Sequence, residues 1–189
     1  MKLFRLDAAK IDHRYCYTTG VSPIAGMVEA STTVVPRMEK LEIDRIDLKM
    51  DEDRGGLELS DWVSNPANLL ALSKDCKDAI LEGFDIGPHE LVDCRLINKK
   101  GRDHGGEYTI VNLLGKQDCL NQQLSELDPN VPFLRVKFMG RWCLDAKKVP
   151  ALDLFRVDGV IGYIFSERLV DLIGSRGFTN FPFDPVPLC

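Results

Sequence analysis

Two apolar runs along the chain each end at a serine. Leu69–Leu72 leads into Ser73, and Val160–Phe165 leads into Ser166. A serine hydroxyl can cap the first turn of a helix, and in both places acidic residues follow and a glycine comes about three turns later. Each pattern therefore predicts a strand, a short serine-capped helix and a glycine stop.

The two patterns are near-copies of one another, about ninety-three positions apart with one slipped residue. The first copy runs over Ser73–Val92 and the second over Ser166–Val186. The other matched pairs are Asp78 with Asp171, Ile80 with Ile173, Gly83 with Gly177, Phe84 with Phe178 and Pro88 with Pro182. A unit this small cannot bury its own core, so we expect the copies to pack into one body or against shared strands. Chance similarity between two amphipathic segments is the alternative.

A β-hairpin is predicted between the two copies. Glu90–Ile97 and Glu107–Leu114 are β-prone, and the polar stretch Asn98–Gly106 separates them. This connection is long for a hairpin, and long polar loop tips are common contact sites. Earlier in the chain, alternating apolar positions over Leu41–Met50 predict a strand that ends in a charged turn.

The remaining segments give weaker patterns. Residues 1–40 read as short strands and loops, with a β-branched stretch at Ser31–Val35. Leu120, Leu124 and Leu127 are spaced for one helical face, and Phe133–Met139 has a strand pattern. We predict an α+β fold with mixed or mostly antiparallel sheets, short capped helices and an internally duplicated strand–helix–strand unit.

The chain divides by these patterns into segments of a single body over residues 1–189. Residues 1–54 form an N-terminal strand and loop region, and residues 55–97 form the first repeat unit. Residues 98–149 hold the hairpin and connecting elements, and residues 150–189 form the second repeat unit.

The charge and hydrophobicity of the chain indicate which kinds of partner it binds. The formal net charge is −5, which disfavours a nucleic-acid surface because such surfaces cluster Lys and Arg. An acidic chain suits a basic protein partner, although acidity can also serve solubility alone. No stretch is long and apolar enough to cross a bilayer and the N-terminus lacks a secretory signal, so we expect a cytoplasmic protein that contacts no membrane.

The sequence offers little catalytic chemistry. Its six cysteines form no C-x-x-C pair and no Cys/His cluster, so we expect reduced, mostly buried thiols and no metal. The three histidines, His13, His89 and His104, stand apart, and no nucleophile elbow, zinc-binding motif or phosphate-binding glycine loop is present. We therefore predict no catalytic residue and no cofactor.

Several motifs over residues 55–189 resemble one known family. The C-terminal motifs are Leu154-Phe155-Arg156, Ile164-Phe165-Ser166-Glu167-Arg168-Leu169, Gly177-Phe178-Thr179 and Phe183-Asp184-Pro185-Val186. The middle motifs are Leu59-Ser60-Asp61-Trp62, Leu72-Ser73, Tyr108-Thr109-Ile110-Val111-Asn112 and Asp118-Cys119-Leu120. Together they are similar to the bacterial polymorphic-toxin immunity proteins catalogued as the eleventh immunity class.

The resemblance implies a non-enzymatic cytoplasmic protein, encoded beside a secreted toxin, that binds and neutralises this toxin by stoichiometric blocking. A nuclease is the first expectation for the toxin, with a lipase, a peptidase or a pore-forming toxin left open. Two other readings of the chain are a hydrolytic enzyme that reverses toxin damage and a general protein-interaction module.

Two polar loops are the candidate partner-binding residues. The acidic turn holds Asp51, Glu52 and Asp53, and the hairpin tip holds Asp103 and His104. Exposed carboxylates speed encounter with a cationic partner, so we predict that both loops face the toxin. A solvated surface without a partner is the alternative for either loop.

Overall fold

The fold consists of two sheets and two short helices. The computed structural model describes residues 2–6, 10, 12–22, 44–53, 55–65, 68–128, 136 and 140–189. In this part of the chain the strands are β1 Leu3–Leu6, β2 Thr18–Ser22, β3 Arg45–Met50, β4 Trp62–Val63, β5 Ala71–Ser73, β6 His89–Ile97, β7 Tyr108–Leu113, β8 Leu154–Phe155, β9 Ile164–Ser166 and β10 Phe183–Val186. The helices are α1 Lys74–Gly83 and α2 Glu167–Arg176.

Both sheets are mostly antiparallel. The smaller has the order β10-β1-β9-β8, and the larger has the order β2-β3-β6-β7-β5-β4. Only the β3–β6 pair among these described ladders runs parallel. The predicted α+β class, with mostly antiparallel sheets and short helices, is confirmed.

The predicted repeat is present, and its two serines occupy the same local geometry. Ser73 caps α1 by accepting from the Cys76 N–H, and Ser166 caps α2 by accepting from the Leu169 N–H. Each serine hydroxyl also donates to an aspartate, Ser73 to Asp61 at 2.6 Å and Ser166 to Asp153 at 2.7 Å.

The backbone repeats the same pattern of hydrogen bonds. The N–H of Ser73 donates to the Asp61 carbonyl at 2.8 Å, and the N–H of Ser166 donates to the Asp153 carbonyl, also at 2.8 Å. In each copy the aspartate stands directly before a two-residue strand, β4 or β8, that pairs with the serine-bearing strand. The repeat unit thus begins at an aspartate, twelve or thirteen residues before the serine.

The correspondence covers the whole of the smaller sheet and four of the six strands of the larger one. Strands β8-β9-β1-β10 match β4-β5-β7-β6 in order and in direction. Strand β7 follows the first copy along the chain, whereas its counterpart β1 comes from the N-terminus. The segment at residues 2–6 therefore completes the second unit.

The final strand of the repeat is offset from the sequence alignment. Leu3 lies opposite Val186, and its counterpart Tyr108 lies opposite Cys94. Val186 therefore corresponds to Cys94, and the expected match with Val92 is wrong by two residues. The cause is the path from the phenylalanine after the helix to the paired position, which is two residues longer in the first copy, with 10 positions from Phe84 to Cys94 against 8 from Phe178 to Val186.

The slipped residue lies at the helix ends. In α2 the residue Gly177 adopts a left-handed conformation with φ of 72°, where glycine is favoured, and stops the helix. In α1 the last helical residue is Gly83 itself, and Phe84 is extended. Phe84 and Phe178 still donate their N–H groups to equivalent carbonyls, those of Ile80 and Ile173.

The two units share a central core. One cluster of buried side chains joins both helices to the facing sides of both sheets. The cluster contains equivalent positions of both copies, such as Leu72 and Phe165, Cys76 and Leu169, and Ile80 and Ile173. Two further clusters cover the outer faces of the two sheets. The units therefore pack into one body, because both helices and both sheets bury side chains in this same cluster.

The helix predicted at Leu120, Leu124 and Leu127 is wrong. Leu120 and Leu127 instead form isolated β-bridges, and Leu124 is 65% exposed. The backbone of this segment bonds to residues 141–143 instead, because the N–H of Asn121 donates to the Cys143 carbonyl at 3.0 Å and the N–H of Glu126 donates to the Arg141 carbonyl at 2.8 Å.

The expectation of six reduced cysteines is also wrong for one pair. Cys143 and Cys189 form a disulfide, which links residues 46 positions apart. Their distance in sequence hid the pairing, because Pro187–Cys189 lies beside Leu144–Ala146 only in the fold. Cys16, Cys76, Cys94 and Cys119 are free and buried as expected.

Two predicted strands lie outside the described residues. These are the stretch Ser31–Val35 and, apart from Val136, the stretch Phe133–Met139. The first part of the run Leu41–Met50 lies outside as well, whereas β3 confirms its second part.

Candidate partner-binding surface

The parallel pairing of β3 and β6 brings the acidic turn and the hairpin tip together. In a parallel pair both strands end at the same edge of the sheet, and here Lys49 lies opposite Ile97. The turn Asp51–Asp53 follows directly after β3, and the tip 98–107 follows directly after β6. The two predicted loops are therefore neighbours.

Lys99 ties the two loops to each other. Its backbone N–H donates to Glu52 Oε1 at 2.8 Å, and its ammonium Nζ lies 2.6 Å from Asp53 Oδ1. The bond to Asp53 raises the pKa of Lys99, so the ammonium stays charged. The Asp53 side chain is 82% exposed, so screening by water makes this ion pair weak. The backbone bond to Glu52 defines the loop geometry more firmly.

Side chains also shape each loop internally. Asn98 Oδ1 accepts from the N–H groups of Lys100 and Arg102, and Asp103 Oδ1 accepts from the Gly105 N–H. Such Asx-type bonds satisfy turn amides that the ladder leaves open. The tip is therefore an ordered turn that presents exposed Lys100, Arg102 and Asp103.

His104 connects the tip to a third segment. Its Nε2 lies 2.9 Å from the carbonyl oxygen of Leu57. Because a carbonyl can only accept, Nε2 carries the hydrogen and donates it. Leu57 is 60% exposed and Leu59 is 43% exposed, so two large apolar side chains flank Glu58 at this edge. We call residues 51–53, 57–59 and 98–104 the edge surface.

The leucine-bearing segment is held tightly from behind. Glu58 exchanges backbone hydrogen bonds with the 14–16 segment, donating to Arg14 at 3.2 Å and accepting from Cys16 at 2.9 Å. Gly56 approaches so closely that a Cβ there would lie 1.8 Å from the Arg14 carbonyl oxygen. Only glycine permits this approach, which keeps the leucines on a rigid support.

The edge surface carries charges of both signs, with more negative than positive side chains. Five carboxylates and three basic side chains give it a formal charge of −2. All five predicted residues, Asp51, Glu52, Asp53, Asp103 and His104, lie within it. The prediction missed Lys99, Leu57 and Leu59, because the contact that joins the three segments depends on the parallel β3–β6 ladder.

A pair of structural carboxylates was also missed. Asp153 is buried and accepts from Ser166, from the Asp85 N–H at 3.1 Å and from Arg168 Nε at 2.7 Å. The Arg168 hydrogen bond is the main cause that holds the pKa of Asp153 below its ordinary value of 3.8. Asp61 plays the same part toward Ser73 and toward the N–H of Thr179 at 2.8 Å.

These two aspartates cross between the units. Asp61 of the first unit binds the segment after α2, and Asp153 of the second unit binds the segment after α1. The exchange is reciprocal, since Asp85 and Thr179 each come directly after the phenylalanine that follows the helix. A sequence signal existed, because each aspartate immediately precedes a strand at nearly the same distance from its serine.

No residue of the edge surface lines the cleft found elsewhere on the molecule. That cleft has a volume of about 520 Å³ and lies beside the disulfide, with Arg5, Trp142 and Pro187 among its walls. Within the described ranges, no group of three or more His, Cys, Asp or Glu side chains could hold a metal ion. Burial raises the pKa of the Cys119 thiol to about 11 and that of Cys94 to about 12.

Comparison with known proteins adds no assignment. No family model matches the chain, and no curated protein matches it. Neither of the two helices in the described part of the chain is long and apolar enough to cross a membrane.

Proposed function

We propose that this chain is an immunity protein that binds a cognate toxin domain through the edge surface and blocks it stoichiometrically. The observation that carries the proposal is the convergence of the acidic turn and the hairpin tip into one ordered, net acidic surface. The resemblance of residues 55–189 to the immunity family supplies the class of partner. Cytoplasmic action in the producing cell, and a nuclease as the toxin, belong to the same proposal.

Charge complementarity gives this surface its physical role. A net acidic face accelerates encounter with a cationic active-site cleft and excludes acidic partners. The hydrogen bonds of Lys99 and His104 order the loops before binding, which lowers the entropy lost on association. Blocking requires only that the surface cover the toxin's cleft, so this mode of action needs no catalytic group in the chain itself.

The test is co-expression with the C-terminal domain of the secreted protein encoded immediately upstream. We expect a one-to-one complex by light scattering and restored growth of cells that express the toxin domain. A toxin domain that remains fully active and elutes separately would contradict the proposal.

A matched pair of variants locates the interaction. Glu52→Gln, Asp53→Asn and Asp103→Asn together remove three charges yet keep an oxygen that can accept each hydrogen bond. Asp75→Asn, Glu82→Gln and Asp171→Asn remove the same charge from exposed helix positions. We expect the first triple variant to associate about tenfold more slowly at low salt, and the second to associate at the unaltered rate. Equal rates for the two variants would remove the edge surface from the proposal.

A further inference from the structure

We infer that Leu57 and Leu59 form the apolar centre of the edge surface, and that the partner presents an apolar pocket ringed by Lys or Arg side chains. This inference rests on the proposed function and specifies the chemistry of the partner. In this view the two leucines supply most of the binding affinity, and the carboxylates around them increase the rate of association.

The carboxylates of the turn are poorly placed to supply most of the affinity. Glu52 already accepts from the backbone N–H of Lys99 and Asp53 already pairs with its ammonium, so a cationic partner must compete with bonds that exist in the free chain. Exchanging one ion pair for another gains little, since surface pairs are weak in water. Charge at this surface therefore acts mainly on the rate of encounter.

The two leucines are placed to supply the missing affinity. They are 60% and 43% exposed, lie two residues apart on either side of Glu58, and belong to a surface that carries charges of both signs. Removing apolar area from water is the dominant favourable term in most associations. An apolar centre within a charged rim is also the usual anatomy of a specific interface.

Rigidity adds to the argument. The backbone of residues 56–58 is hydrogen-bonded to Arg14, Tyr15 and Cys16, and the Leu57 carbonyl accepts from His104. The leucines are therefore presented without a loop to be ordered on binding. The acidic excess of the rim indicates the sign of the partner's own rim, which is basic.

The experiment measures binding kinetics with the upstream-encoded toxin domain as the probe. Leu57→Ser with Leu59→Ser should raise the dissociation rate at least tenfold and leave the association rate and its salt dependence nearly unchanged. The conservative pair Leu57→Met with Leu59→Met keeps the apolar area and should dissociate at nearly the unaltered rate.

Leu91→Ser is the matched control. Leu91 is 47% exposed on the same sheet, six residues before the end of β6 and so about 20 Å from the edge surface. Its replacement should change neither rate. Each variant is first checked for an unaltered thermal transition.

The outcomes separate the two levels of the proposal. If the unaltered chain binds and the double serine variant dissociates no faster, the apolar centre is overturned while the proposed function stands. If the double methionine variant dissociates as fast as the double serine variant, loss of apolar area is not the cause and the inference fails. If the unaltered chain does not bind the probe, the proposed function falls and the inference falls with it.

Discussion

The two repeat units share their framework but differ at one edge. In the first unit β6 pairs onward with β3, and β3 with β2, so the sheet extends to six strands. In the second unit the equivalent strand β10 is the last of its sheet, and the chain continues into a segment held by the Cys143–Cys189 disulfide. The candidate binding residues lie in the turn after the added strand β3, in the β6–β7 connection, which has no counterpart between β10 and β1, and in residues 57–59 before β4. The repeat thus supplies the body of the fold, and segments without a counterpart in the second unit supply the surface.

Reduction of the Cys143–Cys189 disulfide in the second unit should cause the largest loss of stability among the changes considered. The bond links residues 46 positions apart, and closing a loop of this size lowers the entropy of the unfolded chain. We expect reduction to lower the free energy of unfolding by about 3–4 kcal/mol. Chemical denaturation with and without a thiol reductant measures this.

The control for that experiment is Cys143→Ala with Cys189→Ala, which has no bond to reduce. Its stability should not respond to the reductant. An equal response in the unaltered chain and in this variant would show that the disulfide does not stabilise the fold.

The next largest losses of stability are expected for Asp61 and Asp153, the two aspartates that bind across the units. Asp153→Ala should cost about 3 kcal/mol and Asp61→Ala about 2 kcal/mol, because each leaves donors without an acceptor. The larger loss is expected at Asp153 because it is buried and also binds Arg168, whereas Asp61 is half-buried. Urea unfolding of both variants checks the ranking. A reversed order would mean that the reciprocal contacts do not contribute as their burial suggests.

Lowering the pH should distinguish the stability that comes from the charge of Asp153 from the stability that comes from its hydrogen bonds. Its folded-state pKa is lowered, chiefly by Arg168, so the stability that it contributes is complete above the ordinary value of 3.8. This contribution is lost as the pH falls through the folded-state pKa. The stability gap between the unaltered chain and Asp153→Asn should therefore shrink below about pH 4. A gap that stays constant down to pH 2 would contradict this assignment.

The serine caps should give the smallest effects. Ser73→Ala and Ser166→Ala should each cost about 1 kcal/mol, with the buried Ser166 at the higher end. Thermal melting resolves a change of this size in a chain of 189 residues. A melting temperature unchanged within error for either variant would argue that its hydroxyl does not cap the helix.

Local patterns in the sequence predicted the local structure well. The serine caps, the hairpin of β6 and β7, and the apolar alternation of β3 all depend on residues close together in the chain. The helix prediction for Leu120–Leu127 failed because the backbone of this segment bonds to residues 141–143, which are distant in the sequence. Leu120 pairs with Leu144 in an antiparallel bridge, which the local pattern of leucines does not indicate.

Contacts between residues far apart in the chain could not be predicted from the sequence patterns. Strand β1 completes the second unit by pairing Leu3 with Val186, and no local signal joins two such distant positions. The disulfide and the parallel β3–β6 pair are hidden for the same reason. The candidate residues of the edge surface were therefore found individually, whereas their assembly through Lys99 and His104 required the fold.

Hydrogen–deuterium exchange of the chain, free and bound to the upstream-encoded toxin domain, compares the two edges most directly. We expect slower exchange on binding at residues 51–53, 57–59 and 98–104, where a partner would exclude water from ordered loops. Residues 183–189, at the corresponding edge of the second unit, should exchange at the same rate in both states. Slowed exchange at residues 183–189 with none at the edge surface would contradict the account.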